Sequence, residues 1–289
     1  MNSMPTIPWE VALRTAYLEG RANVFVLHGA VADFQWVAGP DGPGFGTLAE
    51  ASADLFGRSR DLLFHLDGSG RGRLVGRARR DAVRGALIWA RPGTRDVASV
   101  LDGGPEILLP TLERLMLAPA HPCGVVLEHA DLLLAATDDP TTRSRVASVR
   151  RWLDSPAIRS TNNAAVLIVD ELARLAPALA EHPRLLPIEI GAPSPEMRLA
   201  ALRTERGASL GELSDELLLR LTDSMTLMEV AALSSRLSAA TGPITAELLA
   251  RDPDAPTDLL PAGLPEPPEA PEVELPSPVE SHAPESLDV

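Results

Sequence analysis

The chain has 289 residues, of which 45% are hydrophobic and 23% are charged, enough to build one full hydrophobic core and a smaller second one. All 26 basic residues are arginine. A chain without lysine cannot form a Schiff base and cannot supply the lysine of a G-x-x-x-x-G-K-[ST] phosphate loop. The formal net charge is -14, but residues 252–289 carry ten acids and no arginine, so the rest of the chain carries only -4.

These numbers narrow the classes of function. An acidic body argues against general nucleic-acid binding. The single cysteine, Cys123, excludes an intramolecular disulfide and fits a reducing compartment. The first residues lack the pattern of a signal peptide, and no apolar run reaches the length of a membrane span. We therefore expect a soluble cytoplasmic protein without a membrane partner.

Hydrophobic patterning predicts strands that alternate with helices from residue 8 onwards. Five apolar runs are typical of strands buried on both faces of a parallel sheet. They are residues 23–28, 61–66, 124–128, 164–169 and 186–190. Helical spacing is found at residues 9–18, 47–56, 80–90, 105–117, 141–153 and 172–180. Residues 38–46, with four Gly and two Pro, are predicted to be a loop.

The last third of the chain changes character. Residues 194–206, 214–221, 226–240 and 243–250 have helical patterns with no strand between them. Beyond Arg251 about a quarter of the residues are proline, with acids between them, which is typical of disorder. The sequence thus predicts an α/β domain with a parallel five-stranded sheet flanked by helices (1–192), a small helical domain (193–250) and a disordered acidic Pro-rich tail (251–289).

Several segments in this order resemble those of an AAA+ ATPase module. The resemblance covers residues 8–245 and makes the helical domain a lid. Residues 124–129 resemble the Walker B strand, and residues 163–170 resemble the sensor-1 strand. AAA+ proteins carry, in this order, an arginine near the subunit boundary, a fifth strand and a lid helix that opens with an arginine. A similar order is found here in residues 178–184, which end at Arg184, then the fifth strand, Pro193 and Arg198. Residues 221–230 resemble the turn into the third lid helix.

The nucleotide-handling positions implied by this resemblance are altered. After the first strand the chain reads Gly29-Ala-Val-Ala-Asp-Phe-Gln-Trp36, without a second glycine or Lys-Ser/Thr, and Asp33 would face the phosphates. At the Walker B end stand Glu128 and His129, and sensor 1 is Asp170. No arginine occupies the sensor-2 position. We interpret the chain as an AAA+-like module that has kept the fold and lost hydrolysis, with no catalytic residue and no cofactor.

A vestigial nucleotide cleft is predicted at His28, Gly29, Glu128 and Asp170. Glu128 and Asp170, at the ends of neighbouring strands, could hold a divalent cation as a carboxylate pair. The alternative is that they cap loops or pair with arginine. A zinc site at His121, Cys123 and His129 matches no standard ligand spacing, so we predict no metal site.

Two sets of arginines are candidates for interaction. The Gly/Arg segment at residues 68–84 could contact a polyanion or form a pore loop through Arg71, Arg73, Arg77, Arg79 and Arg80, or be a solvated surface. Arg184 could act at an interface on a neighbouring subunit's nucleotide, a role that suits planar bidentate arginine, or form a local salt bridge.

Three functions compete. The first is a non-catalytic AAA+-like module that acts by protein–protein interaction, with an active AAA+ ATPase or in self-assembly. The second is an ATP-binding or ATP-hydrolysing AAA+ enzyme with an unorthodox pocket, which would require ATP and magnesium. The third is a nucleic-acid-binding protein that uses residues 71–84, which the acidic body disfavours. Nucleotide binding with and without magnesium separates the first from the second.

Overall fold

The computed structural model describes residues 6–39, 42–75, 80–94, 96–206 and 214–239. The predicted helix at 243–250 and the predicted tail from residue 251 lie outside these ranges. The described residues belong to one compact unit.

A six-stranded sheet forms the centre of this unit, in the order β5-β4-β6-β7-β1-β8. The strands are β1 (Val24–Gly29), β4 (Leu62–Leu66), β5 (Gly72–Leu74), β6 (Cys123–Leu127), β7 (Ala164–Ile168) and β8 (Leu185–Ile190). All neighbours are parallel except β4 and β5. Every residue of β4, β6 and β7 is buried, as expected for the interior strands of a parallel sheet covered on both faces. The predicted α/β fold with a mostly parallel sheet is confirmed.

Two strand predictions need correction. The sequence predicts five strands, but the sheet has a sixth, because β5 adds antiparallel to the edge strand β4. Residues 38–46 are predicted as a loop, but residues 38–39 and 42–46 lie in two strands that pair antiparallel as a hairpin, β2 (Gln35–Gly39) and β3 (Gly42–Gly46). The hairpin is anchored by Trp36, which is 2% exposed and packs against Phe45 with ring centroids 4.7 Å apart. Its glycines and prolines therefore mark a paired ribbon rather than an irregular loop.

Helices pack around the sheet. They are α1 (Pro8–Leu18), α2 (Leu48–Gly57), α3 (Arg80–Ala90), α4 (Ala98–Leu101), α5 (Pro105–Met116), α6 (Ala130–Leu133), α7 (Pro140–Asp154), α8 (Pro156–Arg159) and α9 (Pro177–Ala180). The capping box predicted at Thr47 and Glu50 begins α2. Helix α5 continues across Pro110. The helix predicted at 172–180 is wrong, since a 3-10 turn (Leu172–Arg174) is separated from α9 by extended residues before Pro177.

Three more helices follow the sheet: α10 (Pro195–Arg206), α11 (Asp215–Leu221) and α12 (Leu227–Ala239). Their bounds lie within two residues of the predicted helices. Arg198, in α10, donates a hydrogen bond to the Pro193 carbonyl (2.8 Å) and lies 3.6 Å from Asp223, after α11. This arginine thus ties α10 to the segment before it and to the turn that follows α11. A division into separate domains at residue 192 stays a prediction.

Candidate functional site

The carboxyl end of β1 is the place where this sheet is expected to bind a ligand. The chain leaves β1 to build β4, β6 and β7 on one side, and then returns past β1 to place β8 on the other. Ligands of open α/β sheets bind outside the carboxyl ends of the strands at such a change of direction. The segments that meet there are the loop after β1, Asp170 after β7 and the end of β8.

The loop after β1, residues 29–34, uses its backbone amides internally. A phosphate-binding loop needs successive N–H groups directed at the anion. Five of the six amides here donate to protein oxygens instead. The pairs are Gly29 N to Asp170 O (3.2 Å), Ala30 N to Ile190 O (2.9 Å), Val31 N to Gly29 O (2.7 Å), Asp33 N to Ala30 O (3.3 Å) and Phe34 N to Asp33 Oδ1 (2.7 Å).

Gly29 fixes the course of this loop. Its φ of +100° lies in the region that side chains disfavour, and a Cβ there would lie 2.8 Å from the carbonyl oxygen of Ile190. The glycine therefore serves the close approach of the loop to β8. This accounts for the residue without any bound phosphate.

Asp33 makes the contact that closes the site. Its Oδ2 accepts from the backbone N–H of Leu227 and its Oδ1 from that of Met228, both at 2.9 Å, in the first turn of α12. The side chain is buried, with 7% of the residue exposed. The N-terminus of a helix is a favourable place for an anion, and here the anion is a carboxylate of the same chain. The expectation that Asp33 faces a phosphate site is corrected: it caps a helix.

The cavity that remains beside Asp33 is small. It has a volume of about 120 Å³ and is bounded by residues 7–9, residues 33–35, the segment 189–194, Met197 and Leu227. Sites for drug-sized ligands and cofactors have volumes of roughly 300–1,000 Å³. The cavity beside Asp33 is smaller than this range.

Glu128 lies in a different pocket from the β1 loop. Its Oε2 is 2.8 Å from Nε2 of His65, at a short distance but without the alignment of a hydrogen bond. On the other side of the imidazole, Nε of Arg73 donates to Nδ1 at 2.5 Å. His65 comes from β4, Glu128 follows β6 and Arg73 comes from β5, so the added edge strand completes the cluster.

The protonation of His65 follows from these contacts. The residue is 3% exposed, and burial together with the positive charge of Arg73 lowers the pKa of its imidazole, against the opposing effect of Glu128. Since Nδ1 accepts from Arg73, the neutral ring carries its proton on Nε2, facing Glu128. The cluster lines a pocket of about 500 Å³ with Asp67, Arg71, Gly72 and Asp102.

Asp170 lies beside an arginine, as the alternative interpretation of this residue holds. Its Oδ2 is 3.5 Å from Arg174, which is also 3.7 Å from Asp131. Asp131 is 5% exposed and its other carboxylate oxygen has no hydrogen-bond partner. Glu128 and Asp170 thus have separate partners, His65 and Arg174. His28, the last residue of β1 before Gly29, lies opposite Glu189 of β8.

The residues of the discarded zinc site have other surroundings. Cys123 is fully buried in β6, and burial raises the pKa of its thiol to about 12. His121 packs edge-on against Trp89, with ring centroids 6.4 Å apart. His129 precedes α6 with a φ of +51°. In the part of the chain that the structure describes, no group of three or more His, Cys, Asp or Glu side chains is arranged to hold a metal ion.

The two arginine sets are placed in part. Arg73 is engaged with His65, and Arg71 lines the same pocket. Arg77 and Arg79 lie outside the described residues, and Arg80 begins α3, with its side chain outside the description. Arg184 donates through Nη1 to the carbonyl oxygens of Leu153 (3.3 Å) and Asp154 (3.1 Å) at the end of α7. Such a contact satisfies carbonyls that a helix end leaves unpaired.

Comparison with protein families agrees with this architecture. A family model described as "AAA+ chaperone, N-terminal Rossmann-like domain" matches residues 3–191, which is more than half of the chain. The chain belongs to this family. The match ends one residue before the predicted limit of the α/β domain. No curated protein matches the chain significantly. In the described residues no helix is long and apolar enough to cross a membrane.

Sequence reasoning missed two contributors to the site. For His65 the sequence offers a signal, because a histidine near the end of a buried strand is unusual. In the structure its strand pairs with the strand that Glu128 follows. The contact of Asp33 with Leu227 spans 194 positions in the sequence. No local pattern announces it.

Proposed function

We propose that this AAA+ chaperone-family chain is a non-catalytic module that works by protein–protein interaction. The observation that carries the proposal is the loop after β1. Its amides are used within the protein, it runs into a β-strand rather than a helix, and its Asp33 carboxylate occupies the N-terminus of α12. A phosphate bound there would have to compete with this carboxylate, which is also negatively charged, for the amides at the start of α12.

The Glu128 pocket supports the same conclusion. A glutamate that activates water for hydrolysis has to face the phosphate being transferred. In this chain the side chain that faces Glu128 is His65 of β4, a strand that β6 and β7 separate from β1. The proposal gives one explanation for all the altered Walker and sensor positions in the sequence: they belong to a site that does not bind nucleotide.

Nucleotide binding tests the proposal. Calorimetry with magnesium–ATP should give no heat of binding at ATP concentrations up to about 1 mM. A Kd of about 1 mM corresponds to a binding free energy of about -4 kcal/mol, so any affinity for ATP should be weaker than that. The chain should also hydrolyse no ATP above a buffer control. Asp33→Ala is the informative companion variant, because it removes the competing carboxylate.

Two results would support the ATP-binding enzyme instead. One is micromolar, magnesium-dependent affinity in the wild-type chain. The other is ATP turnover that disappears in Glu128→Gln, since that variant would assign catalysis to this site. If only Asp33→Ala binds nucleotide, the carboxylate is what blocks a remaining cleft, and the non-catalytic interpretation of the natural chain stands.

A further inference from the structure

A groove of about 570 Å³ runs along one face of α7. The helix contributes Arg143, Val146, Ala147 and Arg150, which are spaced by three, one and three positions and so share a face. The opposite wall consists of small residues before α7 and in α9: Ala135, Ala136, Thr137, Asp138, Ala176, Pro177 and Ala178. Small side chains let another backbone approach closely.

The arginines of α7 fall into two pairs with different roles. Arg145 lies 2.5 Å from Glu106, and Arg151 lies 2.9 Å from Glu113, so both are neutralised by α5. In the groove, Arg143 has no ion-pair partner among the described residues, and Arg150 has only an exposed contact with Asp154 at 3.6 Å. Asp138 is the one acid in the lining, which leaves a surplus of one positive charge there.

The spacing of Arg143 and Arg150 selects a ligand. Seven helical residues advance by about 10.5 Å. In an extended polyproline II segment, residues three apart lie on the same side and are about 9.3 Å apart. Two carboxylates at positions i and i+3 of such a segment would therefore reach both guanidinium groups. A β-strand would not serve, because its residues i and i+3 point to opposite faces.

We infer that this groove binds an extended acidic segment of a partner protein, with two carboxylates three residues apart. The inference rests on the proposed interaction function and names its surface and the chemistry of the partner. The net negative charge of the chain does not prevent it, since charges beyond about 8–10 Å are screened at physiological ionic strength. Each carboxylate would form charge-assisted hydrogen bonds to one arginine.

The test uses the full chain and two dye-labelled peptides of identical composition, followed by fluorescence anisotropy. One peptide carries two glutamates three residues apart in a Pro/Ala background, and the other carries them side by side. The spaced peptide should bind at least about tenfold more tightly. Arg143→Gln and Arg150→Gln should each weaken it about tenfold, and Arg159→Gln, an exposed arginine of α8 outside the groove, should leave it unchanged.

Three outcomes would overturn the inference: equal binding of the two peptides, equal effects of all three arginine variants, or tighter binding of a helical peptide with glutamates seven residues apart. Circular dichroism of each variant controls for folding. The proposed interaction function is tested separately, by recovery of an ATPase partner with the Arg143→Gln/Arg150→Gln variant. If the partner is recovered undiminished, the interaction stands and this groove is not its surface.

Discussion

At the scale of single residues, two buried polar side chains, Asn163 and His65, have partners supplied from other elements of the fold. Asn163 is completely buried, accepts from the amide of Cys123 (2.7 Å) and donates to the carbonyl of Met116 (2.8 Å). It thereby joins the end of α5 to the start of β6. His65 is a second case, held between a cation and an anion, and it differs because it can titrate.

His65 should make the stability of the chain depend on pH. Its pKa is lowered in the folded state by burial and by Arg73, whereas in the unfolded state it returns to about 6.5. The unfolded state therefore binds the proton first, so the contribution of His65 is complete above about pH 6.5 and is lost as the pH falls through the lowered folded value. Urea unfolding between about pH 8 and pH 5 should show this loss.

His65→Gln provides the comparison, because glutamine fills similar space and does not titrate. The variant should be less stable than wild type at pH 8, and the difference should shrink towards pH 5. A difference that is constant with pH would contradict the assignment and would mean that His65 contributes by packing alone. His121→Gln, in a half-exposed position, is the matched control and should leave the stability at pH 8 within about 0.5 kcal/mol of wild type.

At the scale of elements, the five longer strands of the sheet could be predicted, whereas the short strand β5 and the β2–β3 hairpin could not. Continuous apolar runs identify β1, β4, β6 and β7, because strands buried on both faces need such residues throughout. Strand β5 has three residues, too few for any periodicity. The β2–β3 hairpin depends on Trp36 and Phe45 meeting across the ribbon, while the composition around them indicates a loop.

Some members of the site could be predicted, among them Glu128 and Asp170, but not their pairings. Glu128 and Asp170 could be placed at neighbouring strand ends, because parallel strands end at the same edge of the sheet. Whether they face each other depends on side-chain partners from β4, β5 and the turn before α9, which a strand pattern does not specify. The same limit applies to Asp33, whose partners come from the last described helix.

Helix α12 is the element whose position depends most directly on the cleft. Asp33→Ala should leave the amides of Leu227 and Met228 without acceptors, at a cost of about 1–2 kcal/mol, as for the loss of a helix N-cap. Hydrogen exchange of the first turn of α12 should accelerate accordingly. The internal capping box of Thr226 and Glu229 remains, so the helix itself should persist.

Asp61→Ala is the control for that experiment, because Asp61 is exposed and lies just before β4. It should change neither the exchange of α12 nor the stability by more than about 0.5 kcal/mol. Exchange at Leu227 and Met228 that is the same in Asp33→Ala as in wild type would mean that the contact with Asp33 does not hold the helix.

At the scale of the whole molecule, the family fold suggests a nucleotide-binding protein, whereas the contacts of Asp33 at the cleft suggest a different role. The chain has the fold of the AAA+ chaperone family, while the Asp33 carboxylate occupies the N-terminus of α12 beside the end of β1. The net charge is distributed unevenly along the sequence, with most of it in residues 252–289. Association with another protein is the activity that we propose for this molecule.

Arg184 allows this expectation to be tested on a partner ATPase. One of its guanidinium nitrogens caps α7, and the residue is only partly buried. An arginine supplied in trans stabilises the charge of a transferring phosphoryl group. We expect the wild-type chain to stimulate an AAA+ ATPase recovered with it from the native cell, and Arg184→Ala to reduce the stimulation at least about tenfold while the complex persists.

The capping contact requires a second variant, because loss of stimulation could follow from damage to α7. Arg184→Lys keeps a cation that can donate to the carbonyls of Leu153 and Asp154 but lacks the planar fork that contacts phosphate oxygens in pairs. If Arg184→Lys is as stable as wild type and fails to stimulate, the arginine acts on the partner's nucleotide. If it stimulates fully, Arg184 serves to hold the end of α7, and the interaction is carried by other surfaces, of which the α7 groove is the first to examine.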